Sequence, residues 1–436
     1  MKIDRNFNWF RLDNAAKIYP ASHNRYWSNL FRLSATLYEE VDLRILEDAI
    51  KNTIPRFPSM AARLSEGVFW YYLRPVSEPP AIMAEYSYPL AYMTKKEMKT
   101  CAFRVIVYRK RISVEIFHAL TDGTGGLIFF KSLLAEYLEL KHNIEIPCTH
   151  GILSRKEQPR HYETEDSFLK NAAPIKETRK DTDAWKIDGT PEEDGFLNIT
   201  NFQMSSDLIR DMAREKKVSI NTFLTAVLMK AILNLQFDLI QNPKKYKPVK
   251  VLIPINLRPI FGSRTLRNFA LYTIPEIDPR LGDYSLDEII NIVHHKVGTY
   301  ATKKNMSKMI ETNVADERTW VLRIIPLFIK NFVMKMVFNS VGEKKSCLSF
   351  SNLGEVRVPD EMKQYIDRID FILGPQAQAP YNCSAYSYRG ILNITFSRDI
   401  KEAMLENYFF RELQRLGVEV TVQSNQRQEV EIDVLR

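Results

Sequence analysis

His118, Asp122 and Gly123 have side-chain types and a spacing that suit acid–base chemistry. A histidine can accept a proton near neutral pH, because the ordinary pKa of its imidazole is about 6.5. The aspartate follows four residues later and the glycine five. The pattern therefore predicts a candidate general base, followed by a carboxylate and a turn that needs a glycine.

A buried strand and a long helix must position this histidine. Ile112, Val114 and Ile116 alternate with other side chains, and this period of two places His118 at the strand's end on the aliphatic face. The Gly-rich residues 123–126 allow a tight turn. Apolar residues at helical spacing then predict a core-facing helix: Leu127, Phe130, Leu134, Tyr137 and Leu138. We expect His118 just before a helix N-terminus, where the helix dipole disfavours the imidazolium form.

A structural role for the same residues is the alternative. A histidine on an apolar face can be a satisfied core residue, and Asp-Gly is a common turn dipeptide. The chain has seven histidines. With that number, Asp at the fourth following position and Gly at the fifth should coincide by chance only about 0.01 times. The spacing therefore favours the chemical interpretation.

The residues His118, Asp122 and Gly123 resemble the HxxxDG motif of the chloramphenicol acetyltransferase-like acyltransferases. This superfamily includes condensation domains of peptide synthetases, plant acyltransferases, wax ester synthases and alcohol acetyltransferases. The resemblance implies an α/β (α+β) fold with two lobes, each a mixed β-sheet flanked by helices, and an active-site tunnel between them. We assign residues 1–180 to an N-terminal lobe with the motif and residues 181–436 to a C-terminal lobe, because the polar segment 149–200 predicts a solvated crossover.

Weaker matches to the superfamily occur at corresponding places along the chain. Residues 56–64 (RFPSMAARL) resemble its opening turn, and residues 218–231 resemble a helix that begins with a capping Ser or Asn. Residues 349–354 (SFSNLG) resemble the SN-h-G segment of alcohol acetyltransferases and wax ester synthases. The DFGWG motif of the plant branch is absent. The resemblance is therefore closest to bacterial alcohol acetyltransferase-like and wax ester synthase-like members.

Arg258 follows a near-continuous aliphatic run, residues 249–255. Such a run predicts a strand covered on both faces, and an arginine beside it would need an acidic partner if it were buried. In the superfamily a buried arginine in this context pairs with the motif aspartate. The resemblance therefore nominates Asp122 as the partner of Arg258, whereas the alternative places Arg258 on the surface at a strand end.

The resemblance implies an enzyme that transfers an acyl group from acyl-CoA to a small alcohol or amine, like an alcohol O-acetyltransferase. His118 would be the general base, Asp122 a structural residue, and Gly123 a point of close backbone approach. We nominate Asn352 or Ser351 as the oxyanion donor. Acyl-CoA would be a co-substrate, with no permanently bound cofactor and no metal. The sequence has no nucleophilic serine elbow, which predicts direct transfer without an acyl-enzyme.

Two other functions remain open at this stage. The same fold could take the acyl group from the phosphopantetheine arm of an acyl carrier protein. A member of the superfamily that has lost catalysis could instead act as a binding protein. The intact triplet His118, Asp122 and Gly123 counts against the second alternative.

Composition and charge narrow the classes of partner and location. The formal net charge is +8, which suits a phosphate-bearing coenzyme or an anionic membrane surface, although a solvated basic surface without a ligand is an equal alternative. Lysine and arginine are spread along the chain, so we expect no nucleic-acid partner. Four scattered cysteines and no apolar N-terminal run predict a cytoplasmic protein with free thiols. We also expect a monomer.

The most apolar later stretch is residues 320–341. Charged and helix-breaking residues interrupt it: Arg323, Pro326, Lys330, Asn331 and Lys335. A membrane span is therefore not expected there, and membrane contact should be peripheral at most. The methionines of residues 301–341, Met306, Met309, Met334 and Met336, are expected mainly in the core.

Overall fold

Two large mixed sheets and one small sheet organise the chain. The computed structural model describes residues 8–24, 28–85, 88–172, 183–318, 325–337, 345–374 and 379–427. Its strands, in chain order, are β1 (Phe10–Arg11), β2 (Leu30–Leu37), β3 (Ala62–Glu66), β4 (Tyr71–Pro75), β5 (Ile82–Ala84), β6 (Phe103–Tyr108), β7 (Arg111–Phe117), β8 (Asn198–Ser205), β9 (Val249–Asn256), β10 (Ala270–Thr273), β11 (Glu276–Ile277), β12 (Leu348–Glu355), β13 (Ile366–Leu373), β14 (Tyr381–Tyr388), β15 (Ile391–Arg398) and β16 (Thr421–Ser424).

Helices pack against these sheets and connect them. Within the same residues they are α1 (Ile18–Ser22), α2 (Leu43–Thr53), α3 (Lys95–Thr100), α4 (Gly123–His142), α5 (His161–Thr164), α6 (Ser167–Asn171), α7 (Ser206–Glu215), α8 (Ile220–Leu239), α9 (Arg258–Phe261), α10 (Leu286–Tyr300), α11 (Lys303–Arg318), α12 (Leu327–Val337), α13 (Asp360–Lys363) and α14 (Met404–Arg415). Polar caps start several of them: Asp42, Asp122, Ser205, Ser219 and Ser285 each accept backbone N–H groups of the first turn.

The first large sheet has the order β13-β2-β7-β6-β5 and carries the strand that ends beside His118. Strands β6 and β7 form the predicted antiparallel hairpin, with Arg109 at a positive φ of 50° in its turn. The apolar residues of β2 and β7 pack against α2 and α4 to form the core of this lobe. Its edge strand β13 comes from the C-terminal half of the chain and pairs antiparallel with β2.

The second large sheet has the order β10-β9-β12-β14-β15-β8-β16, with β11 also paired to β9. Strand β12 runs parallel to both β9 and β14, whereas the other pairs are antiparallel. Helix α8 packs against α7, α10, α14 and β9. It is the one helix of the described residues that is long and apolar enough to span a bilayer, but 72% of its most apolar window is buried inside the protein.

Two mixed sheets flanked by helices confirm the predicted α/β fold class. The predicted lobe boundary at residues 180 and 181 lies outside the described residues. Because β13 joins the sheet of the N-terminal half, the polypeptide crosses back between the two lobes. The division at that boundary stays a prediction.

Several predicted elements differ in detail from the structure. The apolar pattern of residues 67–76 predicts a strand, but β4 begins only at Tyr71, because Gly67 donates to the carbonyl of Trp70 in the hairpin turn between β3 and β4. Residues 418–422 predict a last strand, whereas β16 spans Thr421–Ser424. Strand β9 is fully covered only in its first half. Alternation over residues 26–38 also predicts a strand; β2 spans Leu30–Leu37, and residues 26 and 27 lie outside the described part of the chain.

Candidate active site

His118 lies directly after β7, where its backbone N–H donates to the carbonyl of Asn29 at 2.9 Å. The imidazole is half-buried between two aromatic rings. Tyr19 stacks on it with ring centroids 4.7 Å apart, and Phe31 approaches edge-on at 5.2 Å. These contacts restrict the rotation of the ring and shield it from water.

Asn268 binds His118 through both its side-chain atoms. Oδ1 of Asn268 lies 3.1 Å from Nδ1 of His118, and Nδ2 donates to the carbonyl oxygen of His118 at 3.0 Å. The same Nδ2 donates to Oδ2 of Asp13 at 3.4 Å. Since the amide nitrogen faces two acceptor oxygens, the amide oxygen must face Nδ1. His118 therefore carries its proton on Nδ1, and Nε2 keeps a lone pair that can accept a proton.

Burial lowers the pKa of His118 below its ordinary value of 6.5, although the charge of Asp122 and the hydrogen bond to Asn268 oppose the shift. Desolvation penalises the charged imidazolium more than the neutral ring. The histidine is therefore neutral at physiological pH, as a general base requires.

Asp122 and Arg258 form the predicted buried ion pair, with Nη1 of Arg258 2.8 Å from Oδ2 of Asp122. The same Oδ2 accepts the backbone N–H of Phe269 at 2.9 Å, while Oδ1 accepts that of Gly125 at 3.1 Å and caps α4. Burial would raise the pKa of Asp122, but the charge of Arg258 and these hydrogen bonds hold it below the ordinary value. Asp122 is thus an ionised residue held by three groups.

The guanidinium of Arg258 also binds the loop that delivers Asn268. Nε donates to the carbonyl of Thr265 at 2.7 Å, and Nη2 donates to that of Arg267 at 2.6 Å. We call residues 262–269 the clamp loop. Because Arg258 and Asp122 together hold the backbone of this loop on both sides of Asn268, the ion pair positions the residue that binds His118.

Gly125 allows the clamp loop to lie against the start of α4. A Cβ atom on Gly125 would lie 2.2 Å from the carbonyl oxygen of Leu266 and 2.2 Å from Oγ1 of Thr121, far inside contact distance. Thr121 Oγ1 itself donates to that Leu266 carbonyl. The close backbone approach expected at Gly123 therefore occurs at Gly125. At Gly123 the close neighbour is the side chain of Leu353, 2.9 Å from where a Cβ would lie.

Comparisons with known proteins gave matches only at the level of three-dimensional structure. No protein-family model and no curated protein matches the sequence. Trichothecene 15-O-acetyltransferase TRI3 of Fusarium sporotrichioides superimposes with a TM-score of 0.60 over 93% of this chain and 94% of that one, at 13% identity. TRI101 of the same fungus, solved with coenzyme A and T-2, superimposes with a TM-score of 0.62 over 95% of this chain and 99% of that one, at 10% identity.

Two further structures are similar over comparable lengths. Polyketide synthase associated protein 5 of Mycobacterium tuberculosis has a TM-score of 0.56 over 92% of this chain and 96% of that one, at 14% identity. The epimerization domain of the third module of tyrocidine synthetase B has a TM-score of 0.56 over 93% of this chain and 98% of that one, at 12% identity. The chain has the two-lobed fold of these proteins. At such low identity the likeness concerns the fold.

The two predicted oxyanion donors lie on β12, whose Leu353 contacts the start of α4. The register of this strand is irregular between Asn352 and Glu355. Oδ1 of Asn352 accepts the backbone N–H of Gly354 at 2.7 Å, which holds that side chain in its own turn.

Sequence reasoning did not identify Asn268, Tyr19 or Asp13 as site residues. They lie far from His118 along the chain, and no local pattern marks them. Asp13 is fully buried beside Asn268, and burial raises the pKa of its carboxyl to about 6 although Arg267 opposes the shift.

The crossover segment supports the clamp loop and is not uniformly solvated, contrary to expectation. Glu163 is buried and forms a bidentate ion pair with Arg56, with N–O distances of 2.6 and 2.8 Å. Its carbonyl accepts the backbone N–H of Leu266 at 2.7 Å. Among the described residues, no group of three or more His, Cys, Asp or Glu side chains could hold a metal ion.

Proposed function

We propose that the protein is an acyltransferase that moves an acyl group from acyl-CoA to the hydroxyl or amine of a small-molecule acceptor. The observation that carries the proposal is the Asn268–His118 contact, which leaves Nε2 of a neutral imidazole as the proton acceptor. The fold supports it, because structures with this fold include TRI101 complexed with coenzyme A and T-2 or deoxynivalenol.

The reaction follows from these groups in two steps. Nε2 of His118 takes the proton of the acceptor while its oxygen or nitrogen attacks the thioester carbonyl carbon, which gives a tetrahedral oxyanion. The carbon–sulfur bond then breaks, and the coenzyme A thiolate takes the proton from His118. Ser351 is the side chain we assign to the oxyanion, since hydrogen bonds to a developing charge stabilise the transition state strongly. Transfer is direct, and a covalent acyl-protein detected in burst kinetics would contradict it.

Within this proposal the acceptor is most simply an alcohol, as for the alcohol O-acetyltransferases. Asp122 and Arg258 act as positioning residues through the clamp loop, not as a proton relay. The protein needs acyl-CoA and its acceptor as substrates and no bound cofactor. Its location in the cytoplasm and its monomeric state stay predictions from the sequence.

An acyl carrier protein as the acyl donor is the second candidate. The similarity to an epimerization domain of a peptide synthetase and to a polyketide synthase associated protein favours it. A non-catalytic binding protein is the third candidate, and the ordered base at His118 speaks against it.

Release of free coenzyme A from acetyl-CoA and longer acyl-CoAs, measured against a panel of alcohols and amines, tests the proposal. We expect acceptor-dependent release that falls at least about 10³-fold in His118→Ala, within the range attributed to general-base catalysis. His294→Ala is the matched control, because His294 is exposed on α10.

Release that His118→Ala leaves unchanged would move the chemistry away from this site. No release with any acyl-CoA would refute the coenzyme A donor. The assay would then be repeated with acylated carrier proteins. Acyl transfer would support the carrier-protein donor, and no transfer would support the binding protein.

A further inference from the structure

Large apolar side chains are concentrated on one part of the protein surface. Phe328, Phe332 and Met336 project from one face of α12, while Val68 and Phe69 lie beside it. These five residues are 40–73% exposed, and we call the surface they form the apolar platform. Single exposed apolar residues are normal, but a patch built from two chain segments indicates an interaction surface. Met336, expected in the core, belongs to this surface.

Hydrogen bonds hold the segments of the platform together. The backbone N–H of Leu327 donates to the carbonyl of Val68 at 2.9 Å, and Nζ of Lys330 donates to that of Phe69 at 2.9 Å. The platform is therefore a built surface and not a set of side chains that happen to be exposed.

Cationic side chains lie directly behind the platform. Arg11, Lys17 and Lys330 approach the ring of Trp70 at 5.0, 5.8 and 3.4 Å. A cavity of about 350 Å³ lies among them, and these three cations contribute to its lining. Burial and the charges of Arg11 and Lys17 lower the pKa of Lys330.

We propose that the apolar platform docks the protein on an anionic lipid bilayer. An amphipathic helix with aromatic residues and methionine on one side and cations beside them has the composition of helices that lie in the membrane interface. Fluid acyl chains cover an exposed apolar surface without needing a complementary groove. The cations match anionic headgroups, which attract basic residues near the surface.

The platform lies close to the candidate active site but shares no residue with it. Helix α12 packs against α1, and Tyr19 of α1 stacks on His118. Docking does not depend on the proposed reaction, because no residue of the platform acts in catalysis. Docking would bring the bilayer close to the candidate active site.

Vesicle co-sedimentation tests docking with the full chain. We compare vesicles of phosphatidylcholine with and without phosphatidylglycerol, using wild type, Phe328→Ser/Phe332→Ser and Leu239→Ser/Leu281→Ser. The last variant is the matched control, since Leu239 and Leu281 are 52% and 80% exposed elsewhere. We expect binding to anionic vesicles that salt weakens and that the Phe variant lowers at least about tenfold, from the lost apolar area.

Three results would overturn the proposal. The first is wild-type protein that stays in the supernatant with anionic vesicles. The second is a Phe variant that binds the vesicles as tightly as the Leu control does. The third is a wild-type dimer, seen by light scattering after size exclusion, that the Phe variant dissociates in the absence of vesicle binding. That result would assign the platform to a second copy of the chain. Circular dichroism of each variant verifies folding.

Discussion

Asn268 accepts the Nδ1 proton of His118 at 3.1 Å from a position 150 residues further along the chain. The contact determines which imidazole nitrogen is free, and it depends on a loop that Arg258 and Asp122 hold in place. The candidate base is thus organised from both halves of the polypeptide. Each group in this series of contacts leads to a separate prediction.

Asn268→Ala should lower kcat about 10²-fold, because the imidazole loses the acceptor that orients it and selects its tautomer. The KM for acyl-CoA should change little, since Asn268 acts through His118 and we assign it no substrate contact. Steady-state kinetics with both substrates varied would measure the two effects separately. Equal losses in kcat and in acyl-CoA affinity would instead indicate a general collapse of the site.

The pH dependence of kcat/KM should show an acid limb below pH 6.5, because the pKa of His118 is lowered from that value by burial. Only the neutral ring accepts a proton, so activity is complete above this limb and is lost as pH falls through the folded-state pKa. A profile from acidic to alkaline pH with wild type would locate the limb. A midpoint above 6.5 would contradict the assignment of His118 as the base.

Asp122→Asn should destabilise the protein by about 3–5 kcal/mol, the usual result of leaving one member of a buried ion pair without its partner. The folded-state pKa of Asp122 lies below 3.8, so its stabilisation is present above that pH and is lost as pH falls through the folded pKa. Thermal unfolding from neutral pH to below 3.8 should therefore be less pH-dependent in the variant. A variant as stable and as active as wild type would exclude the positioning role of the pair.

Gly125→Ala should lower both stability, by about 1–3 kcal/mol, and kcat, because the added methyl meets the backbone carbonyl of Leu266 and displaces the clamp loop. Gly298→Ala is the control, since a Cβ there meets no atom within 4 Å on α10. It should stabilise the protein by about 0.5–1 kcal/mol. Calorimetry and the coenzyme A release assay compare the two. Equal behaviour of both variants would show that the loop does not need this glycine.

The local order around the site could be read from the sequence. The period-two pattern before His118 and the helical spacing after it predicted β7 and α4. These features depend on neighbouring residues, so a linear pattern contains them. The pairing of Arg258 with Asp122 was also anticipated, through resemblance to known acyltransferases and the cost of a buried charge.

Tertiary structure alone brought Asn268 and Asp13 to His118, placed β13 in the sheet of the N-terminal half, and left one face of α12 uncovered. Such contacts join segments separated by 150 to 342 positions, and periodicity carries no information about which distant segments meet. The sequence thus determined the candidate base and the strand, turn and helix around it. The tautomer of that base and the surface beside it were decided by the packing of the whole chain.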